Sequence, residues 1–164
     1  MSAQKLILWS HIVLALSGLY EILTGSQGLI GWVLFVVGMA GVQARQARKM
    51  GWFGYLGLAI LLLGSLASLL LYLAGNNVYS YSLFATQTGK SIAYLLFETS
   101  IVTQTGYFLY GLASLRAGIL PQVVSLLLAI AVVMMIVAGS FGQGLCMVAV
   151  GILLSRSKLP EPQG

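Results

Sequence analysis

Three ionisable side chains fall inside long apolar runs of this chain: His11, Glu21 and Glu98. A charge inside a bilayer is costly, so such positions are the first places to look for function. Glu98 is the sharpest of the three. At ~100° per residue, Ser91, Tyr94, Glu98 and Thr105 form one polar stripe, and Thr99, Thr103, Gly106 and Tyr110 form an adjoining one. A face of this kind loses hydrogen bonds in lipid. It is expected to turn toward the bundle interior, a water-filled cavity or another subunit. Glu98 then reads as a proton, cation or polar-ligand site, or as a protonated acid bonded to Tyr and Thr across a helix interface. Glu21 lies near a helix end, where an acid can snorkel or pair with Lys90. His11 lies deeper. It reads as a packing histidine bonded to a neighbouring carbonyl or hydroxyl, or as one axial ligand of a pigment or haem shared with a partner.

Little else in the chain could do chemistry. It has no aspartate, and there is no G-x-S-x-G, H-E-x-x-H, C-x-x-C or phosphate-binding glycine loop. Cys146 is a single cysteine in an apolar stretch, which excludes an intrachain disulfide and a multi-cysteine metal site. Met134, Met135 and Met147 read as adaptable packing rather than metal ligands. An enzyme is not expected, and no metal site is expected.

The elements that position these residues follow from composition. Of 164 residues, 59% are hydrophobic and only 7% charged, against roughly 25% charged in soluble domains. The mean hydropathy is +0.98. These values exclude an ordinary soluble enzyme, a disordered chain and a disulfide scaffold. They predict an all-α fold, a polytopic transmembrane bundle in a single domain. A spanning helix takes about 20 apolar residues. Segments Leu6–Leu23, Leu29–Ala44, Trp52–Ala74 and Ser91–Leu115 satisfy this, the second being a little short. The first also resembles a signal peptide, with Ala15-Leu16-Ser17 as a weak cleavage signal, and is read as a membrane helix. The run Gln122–Ser155 is too long for one crossing. Gly139-Ser140-Phe141-Gly142 is expected to break it into Gln122–Ala138 and Gln143–Ser155.

Charge gives an independent check on six helices. The formal net charge is +5. With six helices Lys5, Arg45, Arg48, Lys49, Arg116, Arg156 and Lys158 all fall on one side, and Lys90 alone on the other. The positive-inside rule makes that side cytoplasmic and places both termini there. No basic run carries interleaved aromatics, so nucleic acid is not an expected partner. The outer connection Gly75–Lys90 is rich in Tyr and Asn and suits the headgroup layer. The hairpins around Arg45–Lys49 and Arg116 echo one another weakly, as a parallel repeat would, and inverted halves of three helices each are equally open.

Small residues recur at helical spacing: Gly31, Gly38 and Gly41; Gly57, Gly64 and Ser68; Gly144 and Gly151. They allow close backbone approach, within the chain or between subunits. The stretch Gly106–Pro121, reading GYFLYGLASLRAGILP, resembles the late helix–turn–helix of some uncharacterised bacterial multi-pass membrane proteins. It has Gln122-Val123-Val124 where those proteins often continue Pro-Arg-Trp. The likeness covers about a tenth of the chain and implies a bacterial origin only, with no function attached; with the apolar composition, the expected location is the cell membrane.

The expectation drawn from these features is a membrane accessory or scaffold subunit. It would pack against lipid, a membrane cofactor or protein partners as a homo- or hetero-oligomer. The alternative is a small proton-coupled transporter or solute-binding protein centred on Glu98.

Overall fold

A computed structural model describes the backbone of residues 3–25, 28–47, 49–76 and 87–157. The described residues form five helices: α1 (Ala3–Thr24), α2 (Gly28–Gln46), α3 (Gly51–Asn76), α4 (Gln87–Ala117) and α5 (Gln122–Arg156). Three helical stretches, Gly28–Gln46, Gly51–Leu71 and Gln122–Arg156, are long and apolar enough to cross a membrane. The all-α architecture follows from Leu, Ile, Val, Ala and Gly runs punctuated only by short glycine-bearing or basic turns.

The final element differs from the two separate helices expected at Gln122–Ala138 and Gln143–Ser155. The helical pattern continues through residues 140–142, and the break narrows to one residue. Gly139 alone is non-helical, with φ 59° and ψ −150°. Only glycine enters that region without strain, so a single residue can turn the chain where four were expected. The chain folds back there: a Cβ on Gly142 would run into the carbonyl oxygen of Met134 and the Cβ of Ala138. In a straight helix, residues eight apart are separated by ~12 Å. The Ser140 hydroxyl donates to the Gly25 carbonyl at 2.9 Å, beside the α1–α2 turn. Leu154 and Ser157 return to Arg45, at the opposite end of α2.

Helices α3 and α4 are longer than expected and outreach the others. The Ser68 hydroxyl donates to Thr99 Oγ1 at 3.1 Å, fixing their register. Beyond that point α3 runs on to Asn76, a further ~12 Å, and α4 begins at Gln87, ~18 Å before Thr99. The expected Gly75–Lys90 connection is therefore partly helical. Its residues 77–86 lie outside the described residues.

One apolar core runs the length of the bundle. Leu14, Phe35, Met39, Leu61, Tyr107, Tyr110, Leu128 and Met147 are fully buried in it. Outward-facing residues are equally apolar, among them Leu63, Ile101, Val133, Ile136 and Ile152. That is the reverse of a water-facing surface and suits contact with lipid.

Backbones meet where the small residues lie. Gly38 abuts Leu14, Gly57 the Leu109–Tyr110 backbone, Gly64 the Thr103 backbone, Gly144 the Gly18 carbonyl, and Gly151 Ala15 and the His11 carbonyl. Gly31 and Gly41 are buried on α2. Ser68 is half-buried.

Candidate functional site: a polar cavity beside Glu21

At the end of the bundle marked by Gly25, Gly28 and Ser140, the five helices leave a cavity of about 270 Å³. Helix α1 contributes Glu21 and α2 contributes Trp32. Helix α3 adds Ser65, Ser68 and Leu69, and α4 adds Ser100, Thr103 and Gln104. The two limbs of α5 add Met135, Ser140 and Gln143. Glu21 is 3% exposed. It is the one ionisable side chain on this wall among the described residues. It sits about one turn from the end of α1, where its own carbonyl accepts the Gly25 N–H at 2.9 Å.

The wall is held by bonds between helices. The Trp32 indole N–H donates to Ser65 Oγ at 3.3 Å, and Ser65 Oγ donates to the Leu62 carbonyl at 3.0 Å. Gln104 Nε2 donates to Gln143 Oε1 at 3.2 Å, and Gln143 Nε2 donates to the Tyr107 hydroxyl at 3.0 Å. Gln104 Oε1 is buried and has no hydrogen-bond partner. Ser17 Oγ donates to the Gly31 carbonyl at 3.0 Å and ties α1 to α2 just below Glu21. Hydroxyls and amides thus surround one carboxyl group in an apolar bundle, an arrangement that can bind a solute carrying several N–H or O–H donors or, with the carboxyl group ionised, positive charge.

No family model, curated protein or solved structure matches this chain. The site therefore rests on its own geometry.

Among the described residues, the expected site residues Glu98, Thr105, Glu21 and His11 are not brought together. Glu98 and Thr105 are exposed on α4, so this described part of their stripe faces outward, while Thr103, Gly106 and Tyr110 of the adjoining stripe are buried. The Thr105 hydroxyl donates to the Ile101 carbonyl of its own helix at 2.9 Å. The Tyr94 side chain and that of Lys90, the partner considered for Glu21, lie outside the described residues. The inward face of α4 instead carries Thr103, Gln104, Tyr107, Tyr110 and Ser114, all buried. Backbone packing decides the choice, because Gly106 is pressed against the Leu61 backbone of α3.

His11 is half-buried, ten residues along α1 from Glu21 and hence ~15 Å from it. It does not reach the cavity. Among the described residues no cluster of His, Cys, Asp or Glu is placed to hold a metal ion. Cys146 is buried as a free thiol.

Gln104, Gln143, Trp32 and Ser65 carry no ionisable group and fall outside the site residues expected from sequence. A signal was present, because an amide in the middle of an apolar helix needs a partner just as a charge does.

A second polar cluster lies toward the other end of the bundle. Gln46 Nε2 donates to the Tyr110 hydroxyl at 2.8 Å and to Ser114 Oγ at 3.0 Å. Tyr110 donates onward to Gln43 Oε1 at 3.1 Å. Next to it Arg45, 8% exposed, donates to the Ile7 carbonyl at 3.1 Å and to Ser157 Oγ at 3.2 Å.

Proposed function

We propose that this chain is an integral membrane protein that binds a small cationic or strongly hydrogen-bonding solute in the Glu21 cavity. One observation carries the reading: a buried carboxylate on the wall of a 270 Å³ cavity whose other polar side chains are all neutral hydroxyls, amides and an indole. In so apolar a setting, positive charge is the complement such a wall recognises best. The solute-binding function thus centres on Glu21 rather than on Glu98.

The reading takes the chain as crossing the bilayer six times, α5 supplying two crossings that meet at Gly139. Both termini lie in the cytoplasm, and the cavity opens on the outer side. Supporting this, α2, α4 and α5 each carry a basic residue in the last turn, Arg45, Arg116 and Arg156, and Arg45 is bonded to the start of α1 and the end of α5. Basic residues at one end fit the positive-inside rule. The likeness over Gly106–Pro121 favours a bacterial inner membrane.

The test is a titration of the purified full-length chain in mild detergent with methylammonium and tetramethylammonium chloride, read by tryptophan fluorescence and thermal stability. Wild type should respond saturably to at least one of them, and Glu21→Gln should weaken that response at least about tenfold, the equivalent of ~1.4 kcal/mol. An identical response in the two proteins would remove the reading.

A second reading, a scaffold or accessory subunit, is favoured by the outer face of α4. There exposed Glu98 shares a surface with exposed Ile101 and Val102. An acid at the lipid boundary finds a better setting against a polar group of a neighbouring subunit, in a homo- or hetero-oligomer. Native mass spectrometry from gentle detergent should then show an oligomer that Glu98→Leu disperses.

A further inference from the structure

The cavity floor and the second polar cluster lie on one line. On α4, Gln104, Tyr107, Tyr110 and Ser114 fall within an arc of about 120°. On α2, Trp32, Phe35, Met39, Gln43 and Gln46 fall within about 80°. At one end these stripes reach the cavity through Trp32 and Gln104. At the other end they form the Gln43–Tyr110–Gln46–Ser114 cluster. Between the two stations Phe35 and Tyr107 meet with ring centroids 5.7 Å apart, both fully buried.

The inner station is incomplete in its hydrogen bonding. The Tyr110 proton goes to Gln43, and the Ser114 proton goes to the Tyr110 carbonyl at 2.8 Å. Neither hydroxyl is left to donate to Gln46 Oε1, which is buried without a partner, and Gln43 Nε2 is buried without an acceptor. Both amides meet at one phenol. A water molecule, or a solute with N–H or O–H donors, would complete the Gln46 oxygen; water or a hydroxyl would also satisfy Gln43. Polar packing alone has no reason to leave a donor and an acceptor unmatched in the same cluster.

We propose that these two stations are the halves of one permeation route for a small donor-bearing cation, shut in this conformation by the Phe35–Tyr107 layer. The proposal rests on the solute-binding reading of the Glu21 cavity and extends it from binding to passage. The outer station is open at the Glu21 end, the inner station is sealed from it but reachable from the Arg45 end, and the ring pair between them is the gate. The layer is thin: Gln104 and Tyr110 are separated by ~9 Å along α4.

Thiol accessibility tests this without knowledge of the natural solute. The full-length chain, with Cys146→Ser to remove the native thiol, is reconstituted in sealed vesicles of known orientation. Ser114→Cys is the reporter and Leu128→Cys, at a fully buried core position, is the dry control. The probe is a membrane-impermeant methanethiosulfonate carrying a trimethylammonium group. From the Arg45 side, Ser114→Cys should react at least about tenfold faster than the control, a difference of one decade in rate. From the Glu21 side it should stay slow until Phe35→Ala is added, and then rise by about a decade.

Reactivity no greater than Leu128→Cys from either side would make the cluster dry packing and end the proposal. An outer-side rate indifferent to Phe35→Ala would end it too. Where Ser114→Cys or Phe35→Ala fails to fold, Gln43→Cys and Phe35→Leu carry the same comparison. The ammonium titration and the labelling fail separately: binding without inner labelling refutes the route alone, and labelling without binding refutes the Glu21 reading.

Discussion

Gly18 of α1 and Gly144 of α5 face each other with no side chain between them. A Cβ on Gly144 would lie 2.7 Å from the Gly18 carbonyl oxygen, and a Cβ on Gly18 would strike the Gly144 carbonyl. Both obstacles are backbone, so neither can swing aside. Gly144→Ala and Gly18→Ala should each lower stability by about 1–3 kcal/mol, the range for overpacking. Thermal unfolding in detergent would measure it. A Gly25→Ala control, where a Cβ has open space but φ is +69°, separates the cost of crowding from that of backbone strain.

Gly139 is the fold-back of α5, and its φ of 59° with ψ −150° is disfavoured for any residue with a Cβ. A Cβ there would meet nothing within 4 Å. Gly139→Ala should therefore act through backbone strain alone, at about 1–3 kcal/mol. Its consequence should be local. The Ser140 to Gly25 bond depends on this turn, so a cysteine pair placed at positions 25 and 140 should cross-link less efficiently once Gly139→Ala is added.

Arg45 fastens three chain segments with one guanidinium: the start of α1 at Ile7, the end of α2 that carries it, and the end of α5 at Leu154 and Ser157. Hydrogen bonds from a charged donor contribute about 1.5–3 kcal/mol each when their loss leaves buried groups unmet. Arg45→Leu should raise hydrogen exchange in residues 5–10 and 151–157 together. Arg45→Lys should recover little, because a single ammonium lacks the planar fork that reaches both sides.

The Gln104–Gln143 pair predicts non-additive behaviour. Gln104→Leu removes the donor to Gln143 Oε1 while leaving that oxygen in place. Removing one partner of a buried pair costs more than replacing both. The Gln104→Leu/Gln143→Leu double variant should therefore be destabilised by less than the sum of the two single changes, with a coupling of about 0.5–3 kcal/mol. Since Gln143 also donates to Tyr107, Gln143→Leu should be the more damaging single change.

Some of this was legible in the residues. Leucine- and valine-rich runs with few charges dictate helices, because the apolar side chains must be buried or meet lipid and the backbone must satisfy itself. The spacing of Gly57 and Gly64, and of Gly144 and Gly151, marks one face of each helix as small. Gly139 stood inside a turn-forming cluster, and Arg45, Arg116 and Arg156 marked helix ends.

Other features were not legible. By sequence, α4 carries two adjoining polar stripes, and composition gives no reason to bury the one with Thr103, Gly106 and Tyr110 rather than the one with Glu98 and Thr105. The tertiary structure decides it. Gly106 lets α4 approach Leu61 of α3, and Gly111 lets it approach Ala129 of α5. Those two contacts fix the helix's rotation, and rotation alone determines which side chains meet at the cavity. Sequence periodicity defines faces on each helix separately. Which face turns inward depends on backbone contacts between residues distant in the chain, and pairing Glu21 with Gln104 and Gln143 needed all of them at once.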